Sequence, residues 1–246
     1  SPVVVEANKC LDEVAQAVTF EHDDKILWHF IITDKGRYIG TGSIRDLLRQ
    51  LTQQQLQHAR YANPLSLMPG NVPIYRYVDN LIKQNKPFRM AYFDLNNFKP
   101  YNDFYGYAKR DKGIQLVASI MQSCCNSKDF IGHIGGDDFV AIFEGKNCID
   151  CCKKITEEFD LKVREYYNDK DLQAGGIEAN SRTGQLQFFP LLSLAVGIVE
   201  PDLARCHSHH DVAELASEAK KRAKQAQGSN VFVSRRGGPT EASNML

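Results

Sequence analysis

The stretch "HIGGDDFVAIF", His133 to Phe143, sets two glycines and two aspartates side by side between apolar residues that read as β-strand. A hairpin here needs a tight turn with positive φ, which glycine adopts without steric cost, so Gly135 and Gly136 are the expected two-residue turn. "FIGHI" and "FVAIF" are then its strands. The missing side chains would also let a bulky ligand lie against the backbone. Asp137 and Asp138 follow directly, and neighbouring carboxylates repel and raise each other's pKa unless a cation offsets them. A solvated hairpin tip could carry the same residues, so the stretch alone leaves both readings open.

Upstream, "MAYFDLNNFKPYND", Met90 to Asp103, runs an apolar strand straight into Asp94. That places a carboxylate at the carboxyl end of a buried strand, where such sheets commonly bind ligands. Asp94 is either a metal position or the cap of the next turn. The Asn-rich segment after it is expected as a loop whose exposed N–H groups could cradle phosphate oxygens. If the hairpin lies beside the Asp94 strand, Asp94 and Asp137 can supply the hard oxygen ligands that magnesium prefers.

Around these strands the spacing predicts helices near 74–83, 112–122, 148–166 and 211–227, and strands at "FFPLLSLAVGIV" and "NVFVS". The polar "NDKDLQAGGIEANSRTGQLQ" suggests a hairpin turning at "SRTG". Helices alternating with strands around a central hairpin predict an α/β (α+β) layered domain over 61–234. Its kind is ferredoxin-like, with a central antiparallel sheet flanked by helices. "NPLSLMPGN" separates it from a small unit, 1–60, with the order helix, strand, turn, strand, helix and a cap at Ser43. Residues 235–246 are expected to be a disordered tail.

Thirty basic and thirty acidic side chains cancel, so nothing in the global charge calls for nucleic acid. No apolar run approaches the roughly 18–20 residues that cross a bilayer, and "SPVVVEANKC" lacks the features of a signal peptide. A cytoplasmic location is expected. Seven cysteines, an odd number without framework spacing, fit a reducing compartment. "CIDCC" and "CHSHH" could suggest a zinc site. The former falls on one side of a helix and the latter in a polar loop, which favours buried thiols and a solvated loop.

"FDLNNFKPYND", followed by "GHIGGDDFV", "SLAVGI" and "SEAKKRAKQAQGSN", resembles the GGDEF domain of diguanylate cyclases from about Asn63 to Val233. "FIITDKGRYIGTGSIRDLL" in the first unit resembles a single CBS domain. The pair looks most like the C-terminal part of bacterial EAL-CBS-GGDEF proteins, although no EAL sequence is present. The resemblance implies that Asp94 and Asp137 hold Mg²⁺ or Mn²⁺ on GTP together with the Leu95 main chain, Asp138 taking the fourth motif position. It implies that Leu95, Asn97 and Phe98 offer backbone amides to phosphates, with the substrate lying against Gly135 and Gly136. Asn102 and Asp111 would read guanine, and Lys224 and Lys220 would hold the terminal phosphates. The implied reaction joins two GTP into cyclic di-GMP and two pyrophosphates, which requires a homodimer. The CBS-like unit implies an adenine nucleotide or a regulatory role.

Three departures qualify the pattern. Asp138 stands where the family usually has Glu, Ser229 where it has Arg, and "NSKD" (126–129) lacks the arginine of the product-inhibition motif. A non-catalytic GTP-binding module is therefore the competing expectation.

Overall fold

The computed structural model describes residues 2–20, 28–180 and 184–238. The chain divides into two compact units, Ser1–Arg60 and Tyr61–Leu246.

The first unit runs β1 (Val4–Glu6), α1 (Leu11–Phe20), β2 (His29–Asp34), β3 (Arg37–Ser43) and α2 (Ile44–Tyr61). The sheet order is β1-β2-β3, with β1 parallel and β3 antiparallel to β2. Three residues are too few to show a period, which is why β1 has no counterpart in the sequence reading. Asp46 N–H donates to Ser43 Oγ at 3.4 Å at the start of α2. Val3, Val5, Val14, Val18, Phe30 and Leu47 form this unit's own core.

The second unit contains α3 (Asn71–Lys83), β4 (Arg89–Asn96), α4 (Phe98–Tyr105), α5 (Tyr107–Cys124), β5 (Phe130–Gly135) and β6 (Asp138–Phe143). It continues with α6 (Cys148–Lys162), α7 (Asp169–Ala174), β7 (Gly176–Asn180), β8 (Leu186–Pro190), β9 (Ser193–Val199), α8 (His209–Ala223) and β10 (Asn230–Val233). Its five-stranded sheet has the order β10-β9-β4-β6-β5. Every neighbour is antiparallel except β10, which lies parallel to β9 after the α8 crossover.

Alternation along β4 decides which helices meet which side chains. Ala91, Phe93 and Leu95 join a core with Ile114, Val117 and Met121 of α5 and Ile155 and Phe159 of α6. Met90 faces the other way, into a core with Ile74 and Val78 of α3 and Val212, Leu215 and Ala219 of α8. Asp94, in register with Met90, therefore emerges on the α8 side.

Several elements differ from the sequence reading. The segment expected as an Asn-rich loop folds into α4: Pro100 sits in the first turn, where its missing N–H costs nothing, and Asn97 takes a left-handed φ of 62°. The helix expected over 148–166 ends at Lys162 and continues as a 3₁₀ turn, Val163–Tyr166. The apolar run 188–199 breaks at Pro190 into β8 and β9, because proline cannot donate to a ladder. The polar excursion forms α7 and the β7–β8 hairpin; residues 181–183 of the expected "SRTG" turn lie outside the described residues. Of the tail expected to be disordered, 239–246 also lie outside them, while Gly237 C=O accepts from Asp202 N–H at 2.7 Å. Among the described residues no helix is long and apolar enough to cross a membrane.

Candidate active site

The β5–β6 hairpin turns one residue later than its glycines suggest. Gly135 pairs with Asp138 and the ladder shifts register between His133 and Gly135, so the turn residues are Gly136 and Asp137. Both glycines still need their freedom, with φ of 150° at Gly135 and 61° at Gly136, and a Cβ at either would meet nothing within 4 Å. The turn therefore leaves open space over the backbone, and its Asp137 is partly buried.

The neighbouring β4–β6 ladder places Asp94 directly opposite Asp138. Both share a face with α8, whose Lys220 lies one turn before Lys224, the residue that caps the helix. Lys220 Nζ sits 2.8 Å from Asp138 Oδ1 and 3.2 Å from Asp94 Oδ2, and 4.4 Å above the Tyr92 ring. Lys224 Nζ donates to Asp94 Oδ1. Asp94 is only 5% exposed and Lys220 is largely buried, so their pairing is little screened by water, whereas Lys224 reaches the surface.

The charges do not balance locally. Burial, then repulsion from Asp94, raises the Asp137 carboxyl above its ordinary value. Asp138 is raised too, because burial and Asp94 outweigh the attraction of Lys220. Burial would lower Lys220, but the Asp138 carboxylate holds it above the usual lysine value. The Tyr92 phenol is pushed up to about 12 by burial and by the Asp138 charge. Added positive charge at the hairpin tip would relieve Asp137.

Above the cluster opens a cavity of about 670 Å³. Leu95, Asn97, Phe98, Asp137 and Lys224 line it, and it lies at the N-terminus of α4, where free N–H groups and the helix dipole favour anions. Lys99 and Asp103 also line it, and Gln185, Gln187 and Phe189 close it from the β7–β8 hairpin. Gln185 and Gln187 carried no signal in a segment that read only as polar, and Phe189 read as part of an apolar strand rather than as a site residue.

Asn102 and Asp111 stand on α4 and α5 outside the cavity walls. Asn102 Oδ1 is buried without a hydrogen-bond partner, an acceptor that calls for a donor. Gly135 at the end of β5 and Gly136 in the turn do not line the cavity. Ser229 has a structural place: its Oγ accepts from Leu194 N–H at 2.9 Å and donates to Asp160 at 2.5 Å.

His133 is a site residue that sequence reasoning missed. It is 1% exposed, stacks on Phe139 at 4.1 Å, and has both ring nitrogens engaged. Nε2 must donate to the Gly136 carbonyl at 3.1 Å, which leaves Nδ1 to accept from the Ser66 hydroxyl at 2.8 Å. His133 N–H also donates to Pro69 C=O at 2.8 Å. The "NPLSLMPGN" loop thus buttresses the turn through one neutral imidazole, whose pKa burial lowers.

Of the two suspected zinc segments, Cys148, Cys151 and Cys152 are buried on α6. "CHSHH" is not simply a solvated loop: Cys206 is buried, Ser208 caps α8, and His209 Nδ1 lies 2.9 Å from Asp79 Oδ2 while stacking on Tyr75 at 4.4 Å. Among the described residues, no group of three or more His, Cys, Asp or Glu is arranged to hold a metal.

Comparison with known proteins agrees with this architecture. The family described as "Diguanylate cyclase, GGDEF domain" matches residues 74–230. Diguanylate cyclase DgcP of Escherichia coli K12 is 22% identical over 193 residues, covering 77% of this chain and 52% of DgcP. The bifunctional diguanylate cyclase/cyclic di-GMP phosphodiesterase MucR of Pseudomonas aeruginosa is 26% identical over 136 residues, covering 51% of this chain and 20% of MucR. The chain thus spans about half the length of the first of these relatives and a fifth of the second. Diguanylate cyclase SiaD of Pseudomonas aeruginosa, solved with its activator SiaC, superposes with a TM-score of 0.57 at 17% identity over 78% of this chain and 69% of that one. The GGDEF domain of DgcB from Caulobacter crescentus, solved with c-di-GMP, superposes with a TM-score of 0.52 at 18% identity, covering 70% of this chain and 95% of that one.

Proposed function

The chain belongs to the GGDEF domain family of diguanylate cyclases, and from that premise we propose that it condenses two GTP into cyclic di-GMP and two pyrophosphates. The observation that carries the reading is the placement of Asp94, Asp137 and Asp138 at adjacent strand ends, with Asp137 lining a cavity that the α4 N-terminus and Lys224 also bound. Carboxylates on one side and amides and ammonium on the other suit a metal-bound triphosphate.

The donor set fits a divalent cation: Asp94 and Asp137 offer hard oxygens with the Leu95 main chain beside them, and the raised pKa of Asp137 marks a place where positive charge is wanted. When bound, Mg²⁺ or Mn²⁺ would neutralise charge on the phosphates and favour ionisation of the attacking hydroxyl. The chain's residues would do the rest. The Asn97 and Phe98 amides receive phosphate oxygens, and Lys224 turns from Asp94 to the terminal phosphates. Asn102, whose buried Oδ1 lacks a partner, and Asp111 on α5 are the residues that would read guanine, although both stand outside the cavity walls before substrate binds.

Each 3′-hydroxyl attacks the α-phosphate of the other nucleotide and releases pyrophosphate, so two copies of the site must face one another. The first unit reads as a CBS-like regulatory module; its β-α-β-β-α order and a pocket of about 270 Å³ between Val14, Phe30 and Leu47 support this, with an adenine nucleotide as its ligand. A cytoplasmic EAL-CBS-GGDEF protein of bacteria is the setting we infer.

A second reading is a GTP-binding module without turnover. Lys220 holding the shortened Asp138, and Ser229 engaged structurally in place of a phosphate-binding arginine, favour it. Calorimetric titration of the chain with GTP and with ATP in Mg²⁺ tests what both readings share. Saturable GTP binding with weaker ATP binding is expected, and no GTP binding overturns both.

A further inference from the structure

Five of the chain's seven cysteines, Cys124, Cys125, Cys148, Cys151 and Cys152, gather where α5 ends and α6 begins. All are free thiols. Within the group one pair stands out: Cys125 Sγ and Cys151 Sγ are 3.7 Å apart, although 26 residues separate them in sequence. A disulfide needs about 2.05 Å between sulfurs, so the two are one modest side-chain movement from bonding distance. Cys125 caps α5 in an extended conformation, φ −80° and ψ 148°, and is not held by helical hydrogen bonds on its C-terminal side. Cys151 is fixed at the start of α6, its N–H donating to Asn147 C=O at 2.9 Å.

The two sulfurs are chemically unequal. The contact with Cys125 lowers the Cys151 thiol below its ordinary value against the opposing effect of burial, while the Cys151 S–H reaches the Cys124 carbonyl at 3.5 Å. The same contact, with burial, raises Cys125. A cleft of about 510 Å³ lined by Asn126, Asp129, Glu144 and Asn147 begins one residue beyond Cys125, although neither cysteine lines it: Cys151 is buried and Cys125 half-buried.

We propose that Cys125 and Cys151 form a redox pair in which Cys151 is oxidised by a hydroperoxide and Cys125 resolves it to an intramolecular disulfide. The Cys151 sulfur attacks the peroxide oxygen, the O–O bond breaks, and the leaving oxygen departs as an alcohol or water, leaving a sulfenic acid. The Cys125 sulfur then displaces the sulfenic oxygen as water. In sum, two thiols lose two hydrogens and one hydroperoxide is reduced to alcohol and water. The bond closes the loop 125–151, which contains β5, the Gly136–Asp137 turn and β6. It therefore clasps together both roots of the hairpin that carries Asp137 and Asp138.

The test uses the whole reduced chain treated with stoichiometric hydrogen peroxide, alkylated, digested and mapped by mass spectrometry. The expected result is a loss of two free thiols from the seven, accounted for by one Cys125–Cys151 linked peptide and reversed by dithiothreitol. The oxidised chain should melt roughly 5–10 °C higher than the reduced one, from the constrained unfolded state. In the Cys125→Ser variant the same treatment should leave Cys151 as a sulfenic acid trapped by dimedone. Retention of all seven thiols, a link between any other cysteines, or a link between chains overturns the proposal, and wild-type mapping decides it even if the variant does not fold.

Discussion

Asp137 and Asp138 are adjacent in sequence and differ in what they touch. Asp138 lies in the ladder opposite Asp94 and is held by Lys220, whereas Asp137 occupies the turn and has its charge opposed by burial and by Asp94. Asp137→Ala should lower metal-dependent turnover by on the order of 100-fold or more. Comparing steady-state rates of cyclic di-GMP formation checks this, and an unchanged rate would remove Asp137 from the metal assignment. His133 gives a second prediction. Its folded pKa lies below the ordinary 6.5, so the neutral ring contributes stability that is full above pH 6.5 and lost as pH falls through the lower folded value. His133→Ala, which orphans the Gly136 carbonyl and the Ser66 hydroxyl, should cost roughly 1–3 kcal/mol at neutral pH, less on acidification. Melting curves of both proteins from pH 7.5 to 5 check the sign. At this scale the sequence made Asp94 legible, as a charge ending an apolar run. It concealed the one-residue displacement of the turn, because register depends on pairing with another strand. His133 was illegible because its partner, Ser66, is 67 residues away.

The elements bring the lysines to the carboxylates through one close approach. A Cβ on Gly197 of β9 would lie 2.3 Å from the Lys220 nitrogen and 2.4 Å from the Ala219 carbonyl carbon, so α8 rests directly on the strand. Gly197→Ala should push the helix away, costing about 1–3 kcal/mol by overpacking. Because Lys220 and Lys224 ride on that helix, GTP affinity should fall as well. Denaturant midpoints and GTP titrations would register both changes, and a variant with wild-type values in both would contradict this packing. The layered arrangement itself could be read from the sequence, since β4 and β6 are apolar runs and α5 and α8 carry helical spacing. Helix α4 could not, because the asparagines before it and its own Pro100 and Asn102 carry loop propensity while burial of Phe98 and Tyr101 overrides it. The β7–β8 hairpin joins the end of a polar excursion to the start of an apolar run, and its role appears only when Gln187 and Phe189 border the cavity.

For the whole molecule, the proposed reading gives each site the groups for one nucleotide, whereas the proposed product joins two. Catalysis must then depend on encounter between two copies, a property that neither a single sequence nor a single chain displays. Composition had nonetheless limited the alternatives: balanced charge turned attention from an extended polyanion to a local phosphate site. The lysines now bound to Asp94 and Asp138 also have to be released to substrate, and on this account GTP with its metal does so. The most direct test is to incubate the chain with GTP and Mg²⁺ at rising protein concentration and separate the nucleotides by chromatography. The account predicts cyclic di-GMP and pyrophosphate, formed at a rate that rises more steeply than in proportion to protein until the dimer saturates. GTP left unconverted at every concentration, with Mn²⁺ as with Mg²⁺, would contradict it.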